Sequence, residues 1–238
     1  MKKTKRITSW SYSRYRDYVQ CPFKAKLKYV DRIKEPSNEA MDRGNTIHKM
    51  AEDHIKQGGK LPAELKKFAA EFKALRVQYK KRQHTMAVEE TWAFTRDWSK
   101  TKWDDWVNCW VRIKLDCGHL VSRGVMVTTD WKTGKMDERR TAEYMEQLEL
   151  YALGALVANE QLDEVHVRLG FTDVGVMYPV EGPVVYKRNA EKTLKKTWEK
   201  KVKPMLADTK FAPRPNDKCR WCHYRKSNKA AGGGQCKF

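Results

Sequence analysis

An alternating run from Leu120 to Thr129 ends in Asp130-Trp131-Lys132-Thr133-Gly134, with Lys135 following, and this ending constrains the chain more than any other stretch. Alternation at period two predicts a strand, and on a strand residues two apart point to the same face. Asp130 and Lys132 then stand side by side, with the indole between them turned to the opposite face. A carboxylate beside an ammonium suits metal-assisted hydrolysis of a phosphodiester. The first can hold a divalent cation, and the second can orient a water or steady charge on the phosphate. Taken alone, the tripeptide fits equally well a strand end with two solvated charges.

Other residues join it. Asp116 closes a second apolar-alternating segment, from Trp106 to Leu115, and Cys117-Gly118-His119 reads as the turn between the two strands. Adjacent antiparallel strands would bring Asp116 and Asp130 near enough to share one cation. Magnesium favours oxygen ligands and keeps several waters, so two carboxylates and a main-chain carbonyl can suffice. Upstream, Gly44-Asn45-Thr46-Ile47-His48 reads as the head of a helix running towards Gln57, from which His48 could reach the same site; such a histidine also fits plain packing. Downstream, Gln147 and Tyr151 are four apart on an expected helix from Glu138 to Val157 and share one of its faces. The pair could serve the lysine or a phosphate, or be an ordinary helix surface.

The ordered set Gly44-x3-His48, Asp116, Asp130-Trp131-Lys132 and Gln147-x3-Tyr151 resembles the PD-(D/E)XK nuclease superfamily, and within it the RecB-type domains and related CRISPR-adaptation exonucleases. Thr133-Gly134-Lys135 completes a form of the lysine motif common in that group. The resemblance runs from about Thr8 to the C-terminus. It implies an α/β (α+β) fold with a restriction-endonuclease-like core, a central mixed sheet flanked by helices. It implies Mg2+ or Mn2+ held by Asp116, Asp130, His48 and the main-chain carbonyl of Trp131, with Lys132 catalytic and Gln147 and Tyr151 supporting it. An imidazole ligand tilts the preference toward manganese. Glu89 or Glu90, at the centre of the first strand, could also reach the site, although the motifs require neither.

The cysteines provide an independent signal. Cys219-x2-Cys222 and Cys236 lie in the tail (residues 213–238), and Cys21 stands far away beside Pro22. Four thiolates can hold zinc or an iron–sulfur cluster, and Cys-x2-Cys is the common chelating step. The resemblance favours a [4Fe-4S] cluster, with one cysteine before the nuclease core and three after it, tying the chain ends together. The stretch Ser11-Tyr12-Ser13-Arg14-Tyr15 to Cys21-Pro22-Phe23 also resembles the start of such proteins. The thirteen residues between Cys222 and Cys236 exceed the family's usual short gap, and His223 keeps Zn2+ with Cys/His ligands as the competitor. A disulfide is the poorest reading, because nothing at the N-terminus marks the chain for export. Cys109 and Cys117 are left over.

With 49 Lys and Arg against 30 Asp and Glu, a net charge of +19, the chain suits a polyanionic partner: DNA, single-stranded or with free ends. The nine tryptophans are mostly expected in the core, with Trp98 or Trp103 as candidates to stack on unpaired bases. No segment approaches the roughly 20 apolar residues of a membrane span, so a cytoplasmic location is expected. No helicase motif is present, so any unwinding would need a helicase or recombination partner. One domain, 1–238, is expected. Its layout runs through helices ending at Cys21 and Val30, the His48 helix, and a long helix from Pro62 to Gln83. Strands follow at Met86 to Thr95, Trp106 to Asp116 and Leu120 to Asp130, then the Gln147 helix, strands Glu164 to Thr172 and Gly175 to Pro179, and a basic helix Ala190 to Leu206. Two other readings stand beside the nuclease: a catalytically inactive relative that only binds DNA, and a zinc-ribbon adaptor acting through its tail.

Overall fold

The computed structural model describes residues 6–238, with the side chains of Glu138 and Arg139 outside the description. Its centre is a mixed sheet in the order β2-β1-β3-β4-β5-β6, with β7 also paired to β5. The strands are β1 (Met86–Phe94), β2 (Lys100–Thr101), β3 (Val111–Ser122), β4 (Val125–Lys132), β5 (Glu164–Phe171), β6 (Val176–Tyr178) and β7 (Val184–Lys187). β1, β3 and β4 run as an antiparallel meander, whereas β4 and β5 are parallel because α5 (Glu138–Ala158) crosses between them. This is the mixed α/β arrangement expected from the sequence.

Helices cover both faces. On one side α5 and α6 (Glu191–Ala207) bury Leu148, Ala152, Leu156, Leu194, Trp198 and Val202 against Ile113, Leu115 and Val167. On the other, α3 (Glu39–Gln57) turns Ile47, Ala51 and Ile55, each four residues from the next, onto Phe72 and Leu75 of α4 (Ala69–Arg82) and onto Trp131. Asn38 caps the start of α3, six residues before Gly44, so that glycine sits inside the helix and not at its head. Gly58 ends α3 at φ +86°, and Arg76 donates to the carbonyls of Ile55 and Lys56 there. The long helix expected from Pro62 is divided: a 3-10 stretch, Ala63–Phe68, precedes α4.

The turn expected at Cys117-Gly118-His119 is continuous strand. β3 runs through it to Ser122, and the reversal comes at Arg123-Gly124, with Gly124 at φ +76°. The alternation misleads because it changes phase: Ile113 and Leu115 face α5, whereas Cys117, two residues on, packs with α3 and α4. The facing position on β1 carries the same fault. Pairing steps from Val88–Cys117 to Glu90–Leu115 with no ladder pair between, and Glu89 has a left-handed φ of +50°. Two irregularities thus lie opposite one another at Glu89 and Asp116.

Near this point β3 and β4 part. Their pairing reaches from Ser122–Val125 to Cys117–Thr129, and at the start of β3 a single parallel bridge joins Val111 to Trp10, which accepts from Arg112 and donates to Trp110 through its backbone. That segment leads through the Ser11 cap into α1 (Tyr12–Gln20), so α1 begins beside the opening. Trp131 fixes the far wall. Its ring is buried between Phe72 and Phe68 and lies against Gly170 of β5, where a Cβ would fall inside the ring's van der Waals surface. Gly170→Ala is expected to destabilise the fold by about 1–3 kcal/mol through overpacking; an unchanged melting temperature would show that the ring yields freely.

Candidate active site

The gap between the parting strands is a cleft of about 1050 Å3, lined by residues of α1, α3, β1, β3, β4 and α5. Every motif residue named above has a place in or beside it. His48 reaches it from α3, one residue from the buried Ile47. Its Nδ1 is 3.3 Å from Asp116 Oδ2 and 3.4 Å from Glu89 Oε1. The three donors all lie within 4.8 Å of one another, the one such group among the described residues. Ligands at about 2.1 Å from an octahedral ion stand roughly 3 Å from their neighbours, so a divalent cation fits these separations.

Charge is the governing feature. Burial alone would keep the His48 imidazole neutral, but Asp116 and Glu89 beside it outweigh that and raise its pKa to about 10. Burial also disfavours the Glu89 carboxylate, yet His48 and Lys114, whose Nζ is 2.7 Å away, hold its pKa below the usual value. Sequence reasoning left Glu89 as optional; two carboxylates in mid-strand were the signal, and only the left-handed backbone at Glu89 turns that one inward. Glu90 is exposed and accepts from Trp92 Nε1.

Asp130 and Lys132 share a face as their spacing requires, with Lys132 Nζ 2.6 Å from Asp130 Oδ2. Both groups of this ion pair are largely shielded from solvent, the Asp130 carboxylate almost wholly so. Burial pushes the Asp130 pKa up, to about 6, against the pull of Lys132. Burial likewise opposes the charge on Lys132, but Asp130 and Asp116 overcome it and keep the amine cationic. Lys132 donates to Gln147 Oε1 at 3.1 Å, and Gln147 Nε2 donates to Tyr151 Oη at 2.6 Å. Burial, then the charges of Asp130 and Asp116, lift the Tyr151 phenol well above its ordinary pKa. Trp131 donates its backbone N–H to Asp116 Oδ2 at 2.9 Å, locking β4 to β3 beyond the last ladder pair.

The four cysteines singled out in the sequence line one small cavity near α1, and all are free thiols. Asn216 donates to the carbonyl of Gln20, and Tyr224, fully buried, donates to the carbonyl of Ile33. Backbone bonds from Cys236 to Tyr224 and from Lys226 to Phe238 fold the long gap into a hairpin that returns Cys236 to Cys222. The backbone N–H groups of Arg214 and Asn216 point at Cys21 and Cys219 Sγ, at 3.4 and 3.3 Å. His223 is absent from the cavity's lining, and its Nδ1 faces Asn228. Cys109 and Cys117 are buried elsewhere.

Comparison with known proteins follows this geometry. The family model described as the PD-(D/E)XK nuclease superfamily matches residues 9–227. Among solved structures, a presumed exonuclease from Eubacterium rectale is 16% identical, with 90% of this chain and 88% of that one covered and a TM-score of 0.49. SSO0001 is 13% identical, with 95% and 88% covered and a TM-score of 0.41. No curated protein is similar enough to count as a match. The donor geometry makes a specific forecast: by calorimetry, Glu89→Gln should weaken Mn2+ binding at least about tenfold, while Glu90→Gln should leave it unchanged. Equal effects of the two would remove Glu89 from the site.

Proposed function

This chain belongs to the PD-(D/E)XK nuclease superfamily, and on that premise we propose that it is a Mg2+- or Mn2+-dependent deoxyribonuclease acting on single-stranded DNA ends. One observation carries the reading. Three metal donors (His48, Glu89 and Asp116) and the relay Asp130–Lys132–Gln147–Tyr151 line a single cleft in a chain of net charge +19. Asp130, which lines the same cleft, and the Trp131 carbonyl beside it complete the ligands the family resemblance implies. A divalent cation bound there would polarise the scissile phosphate and acidify a water. Lys132, kept cationic, orients that water and faces the charge that builds on phosphorus. Gln147 holds the amine in direction through one hydrogen bond, and Tyr151 holds Gln147. All the motif residues are present, which favours an active enzyme over an inactive DNA-binding relative.

The chain functions, in this reading, as one domain whose tail closes a cluster with Cys21. The sulfurs favour a [4Fe-4S] cluster over zinc. All four sulfurs lie around one cavity, so the donor set is four thiolates. Backbone donors to two of the sulfurs suit thiolate ligands of a cluster, and His223 stands apart. No helix among the described residues is long and apolar enough to cross a membrane; the net charge of +19 suits a place in DNA repair or recombination in the cytoplasm, alongside a helicase where duplex must be opened.

The test is cleavage of end-labelled single-stranded DNA by protein purified without oxygen. Wild type should release label only with Mg2+ or Mn2+, and Lys132→Ala should lose at least about 100-fold in rate while still melting cooperatively, at a lower temperature because Asp130 loses its counter-charge. Cleavage by Lys132→Ala at the wild-type rate would refute the assignment. The purified protein should be brown, and Cys236→Ala should bleach it; a colourless wild type holding one zinc would overturn the cluster.

A further inference from the structure

The far end of the cleft carries positive charge that nothing in the catalytic arrangement uses. Arg112, Lys114 and Asp116 alternate along β3 and all line the cavity, with Arg112 roughly 13 Å from Asp116 at strand spacing. Arg112 is only 9% exposed. Its Nε donates to the Trp103 carbonyl at 2.9 Å and its Nη1 to Ser9 Oγ at 3.2 Å, but Nη2 is buried without an acceptor. Arg14, in the first turn of α1, meets the same serine: its Nη1 donates to Ser9 Oγ at 2.8 Å and to the Ser9 carbonyl at 2.9 Å.

No carboxylate lies within ion-pair distance of either guanidinium among the described residues. Asp17 also lines the cleft, but Lys24 and Lys28, at 3.1 and 3.0 Å, and the Tyr29 hydroxyl already answer its charge. A buried and a half-buried cation converging on one neutral hydroxyl are costly, and a donor of Arg112 left without an acceptor adds to that cost. Burial, and Arg112 after it, press the Arg14 pKa down, the mark of positive charge without its counter-charge. The start of α1 has no acidic residue in its first turn and adds the positive end of a helix to the same place.

Aromatic surface stands beside this cradle. The Trp103 and Trp106 rings lie over the Arg112 guanidinium, with centroids at 5.7 and 4.9 Å. Trp103 is 40% exposed and lines the cleft; Trp106 is 79% exposed, on the loop before β3, with Val107 bare beside it. An indole this exposed gains nothing from the core, and its flat face suits an unpaired base.

We propose that Arg14, Arg112 and Ser9 form a second phosphate site, and that Trp106 and Trp103 stack the neighbouring unpaired base, so that the cleft grips single-stranded nucleic acid away from the bond it cuts. Building on the nuclease reading, this assigns the substrate's strand state to a named surface. A duplex cannot offer a free base face to Trp106, so the grip selects single strands.

The experiment measures binding, not cleavage, with EDTA present, using a labelled single-stranded oligonucleotide and the matching duplex. Trp106→Ala should weaken single-strand binding about 5- to 100-fold with little effect on duplex binding. Arg14→Gln should lower the slope of log affinity against log salt by about 0.7, the value of one phosphate contact on a single strand. Trp106 is exposed, so its removal leaves folding intact, and a melting curve checks Arg14→Gln. Wild-type single-strand affinity in Trp106→Ala, or equal losses on single strand and duplex, would overturn the grip whatever the cleavage assay gives. A selective loss would support it even in a protein that cuts nothing.

Discussion

Burying carboxylates is what this structure has to manage. Asp130 is 1% exposed and Asp116 8%, and Glu89 is largely buried beside them. Each buried ion carries a desolvation cost of several kcal/mol unless positive charge answers it. Lys132 answers Asp130, His48 answers Asp116 and Glu89, and Lys114 completes Glu89. These answers come from separate elements: Lys114 from β3, Lys132 from β4 and His48 from α3, with Glu89 itself on β1. The site therefore exists only when sheet and helices are assembled together. The packing of Trp131 between Phe72 and Gly170 is the apolar half of the same construction, because it holds the backbone on which Asp130 and Lys132 sit.

Much of this was legible in the sequence, for a physical reason. Motifs whose chemistry depends on spacing within one element survive translation into three dimensions. Asp130 and Lys132 fall on one strand face, and Gln147 and Tyr151 meet across one helical turn. The break at Cys21-Pro22 follows from local backbone preference in the same way.

What escaped depends on departures from periodicity. The paired irregularities at Glu89 and Asp116 shift the alternation by one residue, so Cys117-Gly118-His119 read as a turn and Glu89 as optional. The short strands β2 and β7 carry too few residues to show a pattern. Trp98, a candidate for stacking on bases, is 4% exposed and packs edge-on to Trp10 and Trp110, whereas Trp106 stands in solvent. Burial at the level of a single indole is decided by partners distant in sequence. The meeting of the tail cysteines with Cys21 was expected, but not its route: the long gap folds onto itself through two backbone bonds that no spacing rule anticipates.

The cleft and the cysteine cavity meet through the N-terminal helix. One end of that helix stands at the open part of the sheet, and the other presents Cys21 to the tail. The helix that carries Cys21 at one end thus forms part of the wall of the cleft along its length. The central claim, however, is the paired irregularity that turns Glu89 and Asp116 toward His48. Anomalous diffraction from crystals soaked in Mn2+ tests it most directly. The account predicts one manganese in the cleft, bound by His48, Glu89 and Asp116 together; manganese held there without Glu89, its carboxylate still paired with Lys114, would contradict it.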